Sequence, residues 1–159
     1  MPNIQFLFSH PAHFFALGFG SGLSPKAPGT AGTAAALPLA WLIATLPLFT
    51  QLLIIAPLFI IGIFICSITG KNLGVADHGS IVWDEIVAMM LVLAFTPLFW
   101  AWWLIAFILF RLFDIWKPYP IRQLDAKLKN GFGVMFDDLL AAVYAIISLK
   151  VLLWMTTTF

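Results

Sequence analysis

Charge is scarce in this chain. Only 9% of its 159 residues are Asp, Glu, Lys or Arg, where a soluble globular domain carries about 25%. Hydrophobic residues make up 62% and the mean hydropathy is +1.03, so the composition predicts an integral membrane protein. Cysteine is nearly absent. Cys66 stands alone in an apolar stretch, which excludes a disulfide within the chain and any cysteine-based metal site. The net charge of +1 provides no basic field, and no nucleic-acid partner is expected. No Lys or Arg precedes Lys26, so the basic n-region of a secretory signal is missing as well. Internal repeats and low-complexity tails are also lacking, and 1–159 reads as one domain.

What is present is apolar sequence in four blocks, at roughly 31–49, 52–70, 86–110 and 132–153. The first two match the ~20 residues that cross a bilayer as helix. The third carries Thr96-Pro97 in its middle, so it is either one tilted span or a tight helical hairpin. Charge placement favours the hairpin. Lys26, Lys71, Arg111, Lys117, Arg122, Lys127 and Lys129 all lie in three polar connections, at 24–30, 70–85 and 111–138, while the connections near 50 and 98 carry no charge. A hairpin brings all three charged connections, and every acidic residue, to one side of the membrane, as the positive-inside rule requires. The expected fold is therefore all-α: a polytopic membrane bundle of about five inserted helices. A short interfacial helix over 9–19 and a structured loop over 20–29 precede it. Thr30 or Thr33 is expected to cap the helix that follows. Seven tryptophans suit anchoring at the interfaces, and Lys150 is expected to snorkel outward near Trp154.

The charged residues fall into short constellations. DHGSIVWDE places Asp77, His78, Asp84 and Glu85 directly before the third block. Asp77 and Asp84 are seven apart and share a face if the segment is helical. Taken alone, Asp84 and Glu85 are better read as first-turn acids facing a helix dipole. FRLFDIWKPYPIR follows that block, with Arg111, Asp114 and Lys117 near one helical face. GVMFDDLLA puts Asp137 and Asp138 at the start of the last apolar block, where capping is again the plain reading. Together, however, Asp77, Asp84, Glu85, Asp114, Asp137 and Asp138 gather on one side. Each charge buried in a membrane costs at least about 2.5–3.5 kcal/mol, and Arg111 and Lys117 offset only two. Carboxylates with waters suit Mg²⁺, with Mn²⁺ as a substitute, so the six acids form a candidate metal set.

A glycine-rich stretch, GFGSGLSPKAPGTAGT, leads into the first apolar block. It is no Walker A loop, since Gly-Lys-Ser/Thr is missing. Beside a metal site it becomes a candidate phosphate cradle, with Ser24, Lys26 and Thr30 in reach. His78, next to Asp77, is the histidine best placed by sequence for proton transfer, whereas His13 reads as an interfacial residue. Other phosphatase designs are excluded. There is no Cys-x5-Arg loop, no Asp-x-Asp-x-Thr/Val pattern, and no Lys-x6-Arg-Pro with Ser-Gly-His.

GFGSGLSPKAPGTAGT, DHGSIVWDE, FRLFDIWKPYPIR and GVMFDDLLA, in this order and spanning about residues 12 to 145, resemble bacterial phosphatidylglycerophosphatase A. The resemblance implies an all-α bundle and an Mg²⁺-dependent enzyme of the bacterial inner membrane. Such an enzyme removes the terminal phosphate of phosphatidylglycerophosphate to leave phosphatidylglycerol. The six carboxylates would then be the metal set. Asp84, Asp114, Arg111, Lys117 and His78 are the candidate catalytic residues, and Ser24, Lys26, Thr30, Arg111 and Lys117 the candidate phosphate-binding ones. The acyl chains would stay in the bilayer while the headgroup enters from the cytoplasmic face. An aspartyl-phosphate intermediate is the alternative to direct attack by water. The rival class is a small ion- or proton-coupled transporter, which would spread its acids through the membrane depth instead of clustering them.

Overall fold

The structure, a computed structural model, describes residues 2–158. Those residues form α1 (Ile4–Ser9), α2 (Pro11–Ala16), a 3-10 segment (Gly18–Leu23), α3 (Pro28–Ile43), α4 (Leu48–Leu73), α5 (Trp83–Ala94), α6 (Trp100–Trp116), α7 (Ile121–Lys127) and α8 (Gly131–Thr158), with no strand among them. The all-α expectation therefore holds.

The third apolar block is broken where Thr96-Pro97 interrupts it. Helix α5 ends at Ala94, Thr96 turns its hydroxyl back onto the Val92 carbonyl at 2.8 Å, and α6 starts at Trp100. Arg111, near the end of α6, reaches Glu85 in the first turn of α5. The two helices therefore run antiparallel, as a hairpin. The pairing also gathers the start of α5, the end of α6 and the charged connections at one end of the bundle. Lys150 lies at the other end, 5.9 Å from the ring centre of Phe95, a cation–π contact that holds its ammonium group.

Helix α5 is the centre of the bundle. Nearly every residue from Trp83 to Leu93 is buried, and α3, α4, α6 and α8 surround it. The outer surfaces of α6 and α8 are apolar as well. Leu104, Ile108 and Leu112 on α6, and Val143, Ile147 and Val151 on α8, form exposed stripes at i, i+4. Exposed apolar area of this extent marks a surface that meets a membrane or a partner rather than water. Trp100 and Trp116, both exposed, bracket α6 like interfacial anchors.

Two described helices, Leu48–Leu73 and Gly131–Thr156, are long and apolar enough to cross a membrane by themselves. Helices α3, α5 and α6 have 16, 12 and 17 residues, roughly 18–25 Å of helix against a hydrocarbon core of about 30 Å. The structure thus supports membrane association through α4 and α8, and it gives the remaining helices shorter lengths than a full span.

The N-terminal region differs from the expected single helix over 9–19. It is two short helices. His10 caps the second by accepting the Ala12 N–H at Nδ1 (3.0 Å), with Pro11 in the first turn. The second helix stops because Gly18, Phe19 and Gly20 take left-handed backbone angles. His13 is buried rather than interfacial. Its Nδ1 is 2.9 Å from the Thr69 hydroxyl, its Nε2 is 3.0 Å from the Asn72 amide, and Phe6 stacks on its ring. Burial, reinforced by His10, lowers its pKa, and the ring pins α2 against α4 through Thr69 and Asn72. Neither Thr30 nor Thr33 caps α3: Ala27 takes the N-cap position in a left-handed conformation, and no side chain bonds there.

Helices α4 and α8 approach closely at Gly131. A Cβ there would lie 2.1 Å from the Ile63 carbonyl oxygen and 2.8 Å from the Ser67 nitrogen. Both are backbone atoms of α4 and cannot rotate away. Gly131→Val is expected to lower the thermal unfolding midpoint in detergent, with a cost of about 1–3 kcal/mol from the overpacked contact. An unchanged midpoint would mean that the two helices do not touch there.

Candidate active site

Three helices supply one carboxylate cluster. Helix α5 brings Asp84 and Glu85 in its first turn, and α8 brings Asp138; one oxygen from each lies within 4.8 Å of the others. Asp84 is 7% exposed and Asp138 3%. Asp114, from the end of α6, sets its carboxyl against that of Asp138, and Glu85 sets its own against Asp84. Asp137, 5% exposed, acts on Asp138 from the adjacent position.

The capping alternative is settled for two of these acids. Helix α8 does not begin at Asp137. It begins at Gly131, where the Asn130 side chain accepts the Gly133 N–H at 2.9 Å. Asp137 and Asp138 are about two turns inside the helix, past the last free backbone N–H, so neither caps it.

Two cations tie the cluster together. Arg111 pairs with Asp114 one turn on, lies 3.8 Å from Glu85, and donates to the Thr33 hydroxyl at 3.4 Å. Thr33 in turn donates to the Gly29 carbonyl at 2.8 Å. A Cβ on Gly29 would meet Glu85 Oε1 at 2.4 Å and the Arg111 guanidinium nitrogens at 3.1 and 3.2 Å. Glycine is therefore what lets the first turn of α3 close over the site. Lys117 ends α6 in a left-handed conformation, sparsely populated by residues with a side chain. Its ammonium pairs with Asp137 and, at 3.1 Å, with Asp125. Burial opposes the charged form of Lys117, but Asp137 and Asp125 outweigh it and raise the pKa above the usual lysine value. Asp125 is likewise held below the usual carboxylate range: burial acts against this, and Lys129 and Lys117 overcome it.

Not all of the sequence-derived candidates meet here. Asp77 is exposed in the connection 74–82, which is not helical, so it does not share a helical face with Asp84. It remains near enough to act electrostatically on Asp137. His78 accepts the Ser80 N–H at 3.1 Å and lines a cleft with Asn3, Phe6 and Asn72, apart from the carboxylates. In the glycine-rich loop the Ser24 hydroxyl donates to the Lys26 carbonyl at 2.8 Å, and the Lys26 side chain is exposed. Thr30 is half-buried beside Gly29 in the first turn of α3. The loop thus reaches the cluster through Gly29 and Thr33, two residues whose role the sequence motif did not reveal, and Asp125 joins it through Lys117.

The donor set fits a divalent cation. Among the described residues, Asp84 Oδ1, Glu85 Oε2, Asp137 Oδ1 and Asp138 Oδ2 are buried without a hydrogen-bond partner. Buried carboxylate oxygens left in this state are costly. An all-oxygen set of this kind suits Mg²⁺ or Mn²⁺ rather than a metal that prefers sulfur or nitrogen.

Two substitutions should move stability in opposite directions. Lys117→Met leaves Asp137 buried without its cation and should destabilise by about 3 kcal/mol, near the lower end for a broken buried pair. Asp138→Asn removes one like charge from the cluster. In EDTA its thermal midpoint should equal or exceed that of the wild type. An equal fall in both variants would make Asp138 a structural hydrogen-bond acceptor instead of an uncompensated charge.

The family model for phosphatidylglycerophosphatase A matches residues 14–153. A Haemophilus influenzae protein named phosphatidylglycerophosphatase A is 52% identical over 140 residues, covering 87% of this chain and 86% of its own length. An Escherichia coli K12 protein of the same name is 46% identical over 136 residues, 85% of this chain and 79% of its own. A Bacteroides thetaiotaomicron protein, provisionally named a phosphatidylinositol-3-phosphatase, is 40% identical over 145 residues, 86% of this chain and 90% of its own. No solved structure matches the chain. With the family model covering nearly the whole bundle and two relatives near half identity, the chain belongs to the phosphatidylglycerophosphatase A family, a family of phosphatases.

Proposed function

We propose that this protein hydrolyses the terminal phosphate monoester of phosphatidylglycerophosphate, releasing inorganic phosphate and leaving phosphatidylglycerol. The observation that carries the reading is the buried carboxylate cluster assembled from α5, α6 and α8 within a chain of this family. Asp84, Glu85 and Asp138 would hold Mg²⁺, or Mn²⁺ in its place, with Asp114 beside them. Bound there, the ion would supply the counter-charge that the carboxylates lack and the Lewis acidity that phosphoryl transfer uses.

The chain's own residues have the remaining roles. Arg111, fixed by Asp114, Glu85 and Thr33, presents a planar cation for the phosphoryl oxygens as charge builds on them. Lys117, held between Asp137 and Asp125, adds a second positive group at the same end. Asp84 Oδ1, buried without a hydrogen-bond partner, takes the proton of the attacking water. The bond from phosphorus to the glycerol oxygen breaks, and that oxygen takes up one proton, which balances the one Asp84 removes from water. Proton transfer is assigned to the carboxylates because His78 faces α1 and the end of α4.

The setting we propose is the bacterial inner membrane, with five inserted helices and the acids toward the cytoplasm. The basic residues at the acidic end support that orientation. With Cys66 replaced by Ser, single cysteines at Thr50 and Pro97 should react with an impermeant thiol reagent added outside spheroplasts, and one at Gln123 should not. Labelling of Gln123 from outside would contradict the orientation.

Activity on phosphatidylglycerophosphate in detergent micelles should vanish in EDTA and return with Mg²⁺. Asp84→Asn, Asp114→Asn and Asp138→Asn should each lose at least ~10²-fold, and a double variant should be little worse than the worse single, because groups acting as a unit are not additive. Losses that multiply would show independent roles. Phosphatidylinositol 3-phosphate, the substrate class in the Bacteroides relative's name, serves as the comparison. Faster release from it would reassign the headgroup while leaving the chemistry in place.

A further inference from the structure

One cavity outside the charged network touches it at a single residue. It lies between α4, α5 and α8, encloses about 310 Å³, and its lining includes Leu52, Ala56 and Ile60 of α4, Asp84 and Leu91 of α5, and Met135 of α8. Asp84 is the one charged residue in an otherwise apolar wall. Its Oδ1 is buried and unpartnered. Ala56 and Ile60 are exposed on the outer surface of α4, so the cavity opens sideways through the apolar flank of the bundle.

The dimensions suit a hydrocarbon chain. From Asp84 to Leu91, and from Ile60 to Leu52, the slot runs roughly 10–12 Å along the two helices. Its volume equals that of about ten water-sized groups, and so about as many methylenes. Its walls offer an extended headgroup nothing to bond beyond Asp84. A sugar or a second phosphate would be desolvated there without partners.

We infer that this slot holds one acyl chain of the lipid whose phosphate is hydrolysed, entering sideways between α4 and the α5–α8 pair. The inference rests on the proposed hydrolytic role of the cluster, because Asp84 belongs to both. A chain leaving the bilayer for this slot gains little hydrophobic free energy, since lipid tails are as apolar as the wall. The slot acts instead on position: fixing the first half of one chain fixes the glycerol backbone relative to the carboxylates. Restricting that freedom is a recognised source of rate.

The test compares two substrates in inert detergent micelles: dioleoyl phosphatidylglycerophosphate and its dihexanoyl analogue, whose chains are too short to fill the slot. Ala56→Trp narrows the mouth from an exposed position, and Ile60→Trp narrows it from the next turn. Each variant should lower kcat/KM for the dioleoyl lipid at least about tenfold, an order set by lost positioning, and should leave the dihexanoyl lipid within about twofold. Equal loss on both substrates, in both variants, would overturn the slot. So would an unchanged preference for the long chain, the outcome expected if the cavity merely takes up bulk detergent. Release of phosphate from neither lipid by the wild type would instead count against the hydrolytic reading itself.

Discussion

Three carboxylates brought close together inside an apolar bundle, with Asp114 set against one of them, fix the terms for the rest of the structure. Two unit charges about 4.8 Å apart, the spacing limit of the Asp84–Glu85–Asp138 group, repel by roughly 3–4 kcal/mol at an effective dielectric constant near 20. That is a large fraction of the stability of an ordinary domain. Arg111 and Lys117 relieve part of it, one on the Glu85–Asp114 side and the other on the Asp137 side. What they leave is a local excess of negative charge facing Asp84, and a divalent cation is the simplest group that can balance it. The nearby architecture follows from this demand. Gly29 lacks the side chain that would push Glu85 and Arg111 aside, and Thr33 braces the guanidinium from α3.

The short hairpin has the same logic. Helix α5 has only 12 residues and is surrounded by its neighbours. Its first turn therefore opens inside the bundle rather than at the rim, and the acids it carries are buried. A full-length span would have carried Asp84 and Glu85 into water, where repulsion is screened and no cation is required. Recessing the acids also places Asp84 beside the apolar cavity between α4, α5 and α8.

Much of this was legible in the residues, for identifiable reasons. Thr96-Pro97 breaks a long apolar run, and proline's missing N–H makes that break readable. Charge confined to alternate connections foretold that those connections share one end of the bundle, as the contact of Arg111 with Glu85 requires. Three of the four motifs marked Asp84, Glu85, Asp114, Arg111, Lys117, Asp137 and Asp138, all of which the fold gathers. What was not legible depends on tertiary contact. Asp137 and Asp138 look like helix-start acids because they open the last apolar block, yet the backbone of α4 at Ile63 and Ser67 leaves room for Gly131, where α8 starts. Asp77 is seven residues before Asp84, but 74–82 turns against the glycine-rich loop instead of continuing a helix. Gly29, Thr33 and Asp125 carry no local signal at all, since their parts are defined by side chains 56, 78 and 8 positions away, at Glu85, Arg111 and Lys117.

The account stands on the carboxylates acting together on a divalent cation, and that can be measured without turnover. Free Mn²⁺ in a titration of the purified protein in detergent is counted directly by its electron paramagnetic resonance signal. The account predicts saturable binding by the wild type that Mg²⁺ displaces, and loss of that binding in Asp84→Asn and in Asp138→Asn alike, although the two residues lie on different helices. Binding retained in both variants at the wild-type level would contradict it.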